Sequence, residues 1–199
     1  LKSGQPSQVW LIDVENPSSS QRIKTVQSGS AYGLGLSPDR RTLTYIDAGS
    51  AIRAAPATGG DGQLLFVSPA DCGKIQHASW SPTTLSEFVL ECQQAESAAQ
   101  LLVVNIDGTI VRRLDTGTLY PADPTISPDG KSVAFWASTS ADLNEGGSIY
   151  VMPTDGSGGP QRVTDGDPDT DSDPAWSPDG TSLAFRRQIS PAHTADSGK

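Results

Sequence analysis

The chain has 199 residues and a formal net charge of −9 at pH 7, with 20 Gly and 15 Pro that interrupt regular elements. This charge offers no basic surface for phosphates, which excludes nucleic acid and anionic membranes from the expected partners. No apolar run is long enough to span a bilayer, so membrane insertion is not expected. The acids are mostly Asp, a turn residue, and the apolar residues recur in short clusters. Composition therefore predicts an all-β protein with many loops.

The first predicted elements are two short strands, within residues 8–13 and 21–24. They follow a polar start at Leu1 that lacks an apolar leader, which we interpret as a processed form or a piece of a longer chain. Further along, strand signals come in hairpins. Each hairpin turn follows a large apolar residue, in order Leu36, Trp80, Ile126 and Trp176.

The hairpin turns are copies of one motif, Ser-Pro-Asp-Gly, at residues 127–130 and 177–180, with degenerate copies at 37–40 and 81–84. Pro presets φ at the second turn position, Asp hydrogen-bonds within the turn, and Gly takes the positive φ that closes it. A third and a fourth strand follow most copies, as at residues 101–104 and 110–114. Four strands in each repeat of this length are typical of a propeller blade.

We therefore predict a single β-propeller domain over residues 1–199, built from four-stranded antiparallel blades. Three blades cover residues 31–68, 77–117 and 123–165. The fourth combines the two inner strands of residues 173–188 with the two outer strands of residues 8–25. Pairing the two chain ends in this way would close a four-bladed ring and remove exposed strand edges.

The repeats resemble those of the TolB-like β-propeller family, which are shared with the propeller domains of prolyl oligopeptidase-type enzymes. The resemblance rests on Asp-Pro-x-(Trp or Ile)-Ser-Pro-Asp-Gly, a Leu-Ala-Phe type strand, and Ile-Tyr-Val-Met-x-x-Asp-Gly. It implies a propeller that serves as a binding platform, a docking module or a lid to an enzyme, and a bacterial, extracytoplasmic setting. Rings of the TolB type have six blades, so a piece of a larger ring is the alternative to closure.

An Asp at every second position marks the loop before the last hairpin: Asp165, Asp167, Asp169 and Asp171. Crowded carboxylates are ligands that calcium prefers, although the segment lacks the helix-loop-helix calcium pattern. A solvated acidic connection is the alternative. With Glu96, Asp142 and Glu145, these acids are expected on the propeller face opposite the Ser-Pro-Asp-Gly turns.

The position three residues before the large apolar residue is equivalent in all four repeats. It is occupied by Gly33, His77, Asp123 and Asp173. All four should begin the innermost strands and ring the channel mouth. His77, Asp123 and Asp173 are therefore the predicted ligand-binding residues, for a cation, a polar ligand or a basic side chain. The alternative is local, because Asp in such a turn hydrogen-bonds nearby backbone amides.

Two cysteines are too few for a disulfide framework. The hairpin register sets Cys92 opposite about Ile75, and Cys72 lies three residues further on the same face. A Cys72–Cys92 bridge is therefore predicted, which would suit an extracytoplasmic protein; two free, half-buried thiols are the alternative.

No nucleophile elbow, dinucleotide fingerprint or phosphate loop is present in the sequence, so we do not expect an enzyme. The predicted function is a non-catalytic propeller that presents an acidic loop face to a protein, peptide or other ligand, with a basic partner favoured. No cofactor is required, and calcium is the one candidate. A regulatory or substrate-gating domain of a larger peptidase or kinase is the alternative, and a glycan-binding propeller is a third reading. A monomer is favoured over a dimer that forms an eight-bladed ring.

Overall fold

The computed structural model describes residues 7–12, 14–19, 21–26, 31–48, 50–60, 62–69, 72–93, 99–140, 146–166 and 169–189. Within these ranges the chain forms sixteen β-strands and one turn of 3-10 helix at Pro17–Ser19. None of the helical structure described is long and apolar enough to cross a membrane.

The strands form three four-stranded antiparallel sheets and two two-stranded ones. The first two-stranded sheet contains β1 (Ser7–Leu11) and β2 (Gln21–Val26). The first four-stranded sheet contains β3 (Ala31–Leu36), β4 (Thr42–Asp47), β5 (Ala51–Pro56) and β6 (Gln63–Val67). The second contains β7 (Lys74–Trp80), β8 (Glu87–Gln93), β9 (Gln100–Asn105) and β10 (Ile110–Leu114). The third contains β11 (Tyr120–Ile126), β12 (Ser132–Ser138), β13 (Ser148–Pro153) and β14 (Gln161–Arg162). The last two-stranded sheet contains β15 (Thr170–Trp176) and β16 (Leu183–Gln188).

Successive sheets pack side by side through their first strands. Strand β7 contacts β3 on one side and β11 on the other, and β11 contacts β15 in turn. Each four-stranded sheet keeps its strands in chain order, as the blades of a propeller do. The prediction of an all-β, propeller-like fold with four-stranded antiparallel blades is therefore confirmed.

The core lies between the sheets, and the period-two alternation of a strand divides it into layers. On β9, Leu102 and Val104 belong to the layer shared with the β3–β6 sheet, whereas Leu101 and Val103 belong to the layer shared with the β11–β14 sheet. All four side chains are fully buried. A strand buried on both faces reads as a continuous apolar run, which explains Leu101-Leu102-Val103-Val104 in the sequence.

The Ser-Pro-Asp-Gly turns are built by the Asp and Ser side chains. In the turn at residues 127–130, Asp129 Oδ1 accepts hydrogen bonds from Ser127 Oγ at 2.6 Å and from the Lys131 amide at 3.0 Å. Gly130 takes a φ of 75°. The degenerate turn at residues 37–40 has the same hydrogen bonds, but its fourth residue, Arg40, takes a φ of 60° without being glycine.

The tryptophans fill the space between the sheets unevenly. Trp136 is buried, and the Nε1 atoms of Trp80 and Trp176 donate to Thr44 Oγ1 and the Thr125 carbonyl of the preceding sheets. Trp10 departs from this arrangement, since 54% of it is exposed in the terminal β1–β2 sheet.

The prediction of a closed four-bladed ring is wrong for this structure. The β1–β2 and β15–β16 hairpins remain separate sheets, and most of β16 is exposed, including Phe185. The physical reason lies in the inter-sheet layers, which reach from the innermost strands out to β6 and β10. Contact over this width favours a small angle between neighbouring sheets, whereas closing a ring with only four blades requires a large one.

Candidate ligand-binding site

The aligned repeat position is a β-bulge in the innermost strands. Pairing slips in β3, β7, β11 and β15 at or beside Gly33, His77, Asp123 and Asp173. Gly33, Asp123 and Asp173 take positive φ values of 59°, 51° and 54°. These residues lie inside the strands, not at their beginnings as predicted. Because Gly and Asp tolerate this conformation better than most residues, the bulge alone is a local reason for them.

Three of the four aligned residues meet at one pocket. We call it the inner pocket; it is open, has a volume of about 230 Å³, and lies between β7, β11 and β15. Its lining consists of His77, Ala78, Ser79, Asp123, Pro124, Thr125, Asp173 and Pro174. Nδ1 of His77 lies 3.1 Å from Oδ1 of Asp123, and both side chains are partly exposed. The fold thus brings the predicted imidazole and carboxylates together.

Glu91 is a member of this site that the repeat alignment did not identify. It pairs with His77 across β7 and β8, is only 7% exposed, and accepts a hydrogen bond from the Asp123 amide on Oε2 at 3.0 Å. A signal was available in the sequence. Glu91 interrupts the run Phe88-Val89-Leu90-Glu91-Cys92, and a single charged residue in a buried strand calls for a partner.

Electrostatics couple the members of the site. Burial raises the pKa of Glu91 to about 7, because the ionised carboxylate loses its hydration. The hydrogen bond to Asp123 raises the pKa of His77 despite partial burial. Asp173 is the more exposed acid and pairs with Arg186 at 2.9 Å.

The site has the donors of a metal centre. One nitrogen of His77 and one oxygen each of Glu91 and Asp123 all lie within 4.8 Å of one another. Imidazole nitrogen combined with carboxylate oxygen is a ligand set that first-row divalent metals accept. Asp173 is not among these three groups.

Two of the acids predicted to bind calcium are paired with arginines. Oδ1 of Asp165 lies 2.6 Å from Arg162, and Asp171 accepts two hydrogen bonds from Arg187, at 2.6 and 2.8 Å. Burial disfavours the ionised form of Asp171, but hydrogen bonds from Arg187 and Thr164 outweigh it and lower the pKa of this carboxyl. These ion pairs compete with calcium for the same oxygens.

The remaining acids of the predicted loop face are either buried or not described. Asp169 is buried, and the residues outside the described ranges are Glu96, Asp142, Glu145 and Asp167. The calcium site stays a prediction. A rise in melting temperature with added calcium would support it, and an unchanged melting temperature would remove it.

The cysteines form a disulfide in this structure. Cys72 and Cys92 have Cα atoms 5.5 Å apart, and Cys92 pairs with Ile75 across the hairpin. Both side chains are buried in the layer between the β3–β6 and β7–β10 sheets. The bridge ties the connection before β7 to the strand that carries Glu91.

These features define a β-propeller of TolB-like fold with a polar pocket among its innermost strands. The structure is similar to a putative TolB from Agrobacterium tumefaciens, with a TM-score of 0.73 and 24% identity over 89% of this chain and 62% of that chain. TolB from Acinetobacter baumannii gives a TM-score of 0.69 and 16% identity over 92% and 44% of the two chains. An oligogalacturonate lyase in complex with manganese gives a TM-score of 0.65 and 15% identity over 92% and 53%. No protein-family model and no curated protein sequence matches the chain.

The comparisons confirm the TolB-like resemblance at the level of the fold. The chain spans between 44% and 62% of the length of these solved structures. Because the same fold occurs in proteins named as TolB and in a protein named as a lyase, the fold does not decide between binding and catalysis.

Proposed function

We propose that the chain is part of a non-catalytic binding propeller whose inner pocket receives a positively charged group of a protein or peptide. The observation that carries this proposal is the convergence of His77, Asp123 and Asp173 on one open pocket, with Glu91 buried behind it. A concave site with a few convergent polar groups is the usual form of a ligand site.

Charge supports a cationic ligand. Asp123 and Asp173 place two carboxylates at the pocket, and among the described residues one arginine, Arg186, pairs with Asp173. Glu91 adds negative charge as the pH rises through about 7, and the net charge of the chain, −9, has the same sign. A lysine or arginine side chain of a partner would therefore be attracted to the pocket.

The proposed location is extracytoplasmic, in a bacterium. The Cys72–Cys92 disulfide supports it, since disulfides persist in oxidising compartments. TolB from Agrobacterium tumefaciens and from Acinetobacter baumannii supports a bacterial setting.

A regulatory or substrate-gating role within a larger enzyme is the second candidate. Two findings favour it. This chain spans at most 62% of the length of these solved structures, and one of them is a lyase. The reading frame around the chain separates the two candidates, because a hydrolase or kinase module beside the repeats would support the second.

The test of the binding proposal is a peptide array that presents basic, neutral and acidic sequences to the protein at low and at physiological salt. We expect basic peptides to bind, and the binding to weaken as salt rises. The variants Asp123→Asn and Asp173→Asn remove charge while keeping a residue that tolerates positive φ, so the fold should survive. Both should reduce binding.

The matched control is Asp155→Asn, which changes an acid in the β13–β14 turn, at the opposite end of the strands from the β12–β13 connection. It should bind as the wild type does. If all three variants bound basic peptides as tightly as the wild type does, the proposal would be contradicted. A preference of the protein for acidic peptides would also contradict it.

A further inference from the structure

We propose that His77, Glu91 and Asp123 bind one divalent transition-metal ion at the base of the inner pocket. The ligand atoms are Nδ1 of His77 and one oxygen of each carboxylate. This inference goes beyond peptide binding, and either can hold without the other.

The spacing of the first two ligand atoms fits a shared ion. Nδ1 of His77 and Oδ1 of Asp123 are 3.1 Å apart. Two donors that each lie about 2.1 Å from one metal ion are separated by about 3.0 Å at the 90° angle of octahedral geometry and by about 3.4 Å at the tetrahedral angle. In the free protein a proton joins these two atoms, and a metal ion would replace it without moving either side chain far.

Glu91 supplies the third ligand, and its burial is the second observation. More than nine-tenths of this residue is buried, and the Asp123 amide donates to Oε2. A buried carboxylate is costly when it is ionised, and an ion beside His77 would compensate it. The amide of Asp123 fixes the orientation of Glu91, as outer contacts do for metal ligands.

The donor set selects the kind of ion. One imidazole and two carboxylates suit zinc or manganese, whereas calcium takes six to eight oxygen ligands. The neighbouring acid, Asp173, is paired with Arg186 at 2.9 Å and so stays outside the set. Since His77 and Asp123 also line the inner pocket, the free coordination positions of the ion would open into it.

Calorimetric titration of the chelator-treated protein with zinc, and separately with manganese, tests the site. We expect one ion per chain. Each of the variants His77→Ala, Glu91→Gln and Asp123→Asn should weaken binding at least about tenfold. Two controls should bind as the wild type does: Asp155→Asn, in the β13–β14 turn, and His193→Ala, the only other histidine.

A melting curve of each variant in chelator separates lost ligands from lost folding. A variant that stays folded and still binds the ion with full affinity would overturn the site, as would a wild type that binds neither ion. Because Asp123 is shared, zinc and basic peptides should compete. If basic peptides bind and zinc does not, the metal inference fails and the binding proposal stands; the reverse result removes only the binding proposal.

Discussion

A single backbone feature explains why the site residues recur in the repeats. Asp123 and Asp173 occupy the same bulge with φ near 50°, and Gly33 occupies it in the first repeat. The local conformation therefore selects Gly or Asp at this position, and the arrangement of the sheets then brings the Asp side chains to one pocket. His77 is the exception, since its φ is not positive, and so its presence calls for a role beyond the bulge.

Repeat alignment was enough to find His77, Asp123 and Asp173 because they share a position along the repeat. Repeat alignment did not identify Glu91, because two other contacts place it in the site. It pairs with His77 across the strands and accepts a hydrogen bond from the amide of Asp123 on the next sheet. Contacts between sheets depend on how the blades stack, which strand patterns do not specify.

Glu91 should make stability depend on pH. The pKa of its carboxyl is 4.5 in the unfolded chain and about 7 in the folded one. Folding thus favours the protonated form, so the stabilisation is complete below pH 4.5 and is lost as the pH rises to about 7. In chelator, the free energy of unfolding of the wild type should fall relative to Glu91→Gln over this range, by on the order of 3 kcal/mol.

The pKa of His77 is also raised, so its stabilisation is lost in the same direction as the pH rises. The difference in the free energy of unfolding between the wild type and Glu91→Gln removes this contribution and isolates that of Glu91. Urea denaturation at several pH values measures it. Parallel curves for the wild type and Glu91→Gln between pH 4.5 and 7 would show that this carboxyl is not perturbed.

Arg40 should carry backbone strain that glycine relieves. Its φ of 60° is the conformation that Gly130 and Gly180 adopt in the matching turns. We expect Arg40→Gly to raise the free energy of unfolding by about 0.5–1 kcal/mol, as the strain outweighs the entropy cost of glycine. The control is Arg41→Gly, one residue on, which should be neutral or destabilising. Equal effects of the two substitutions in urea denaturation would rule out strain at Arg40.

At the scale of elements, the sequence patterns were informative because they are local. The Ser-Pro-Asp-Gly motif predicted the β11–β12 and β15–β16 turns, and Asp129 makes in one of them the hydrogen bonds expected of it. Strand register followed from the turns, and Cys92 pairs with Ile75 as predicted. A short turn fixes pairing to within about one residue, and bulges such as the one beside His77 then shift it.

Strand β9 offers a test of packing on both faces. Leu101 and Leu102 are adjacent, fully buried, and assigned to different core layers. Each of Leu101→Ala and Leu102→Ala should therefore lower the free energy of unfolding by about 2–5 kcal/mol. Leu85→Ala, at a leucine that is 53% exposed, should change it by less than about 0.5 kcal/mol. A sheet with one solvent-facing side would instead show a large effect at only one of the two buried leucines.

The disulfide should stabilise the second four-stranded sheet. Cys72 and Cys92 close a loop with a sequence separation of 20, for which about 3 kcal/mol is expected. Intact mass under non-reducing conditions should show the loss of two hydrogens. Replacing both cysteines by Ala should lower the melting temperature, and a reducing agent should then have no further effect. A reduced mass for protein purified under oxidising conditions would exclude the bond.

At the scale of the whole molecule, the sequence could not predict whether the row of sheets closes into a ring. Strand counting showed that residues 173–188 and 8–25 complement each other, but complementarity does not determine whether they meet. Their distance depends on the angle between successive sheets, which is set by side-chain layers that span several strands. A monomer, as opposed to an eight-bladed dimer, stays a prediction that solution mass tests.

The inner pocket exists only because β7, β11 and β15 belong to three neighbouring sheets. No single repeat contains it. A ligand that contacts both His77 and Asp123 therefore bridges two sheets. Its binding should stabilise the packing of these sheets against each other.

The most direct test of the pocket is the imidazole NMR spectrum, because the chain contains only two histidines, His77 and His193. The variant His193→Ala assigns the two sets of signals. On titration of the chelator-treated protein with a lysine-rich peptide, we expect the His77 signals to shift to saturation while those of His193 stay in place, and Asp123→Asn to abolish the shift. A peptide that binds while the His77 signals remain unchanged would contradict the inner pocket as the binding site.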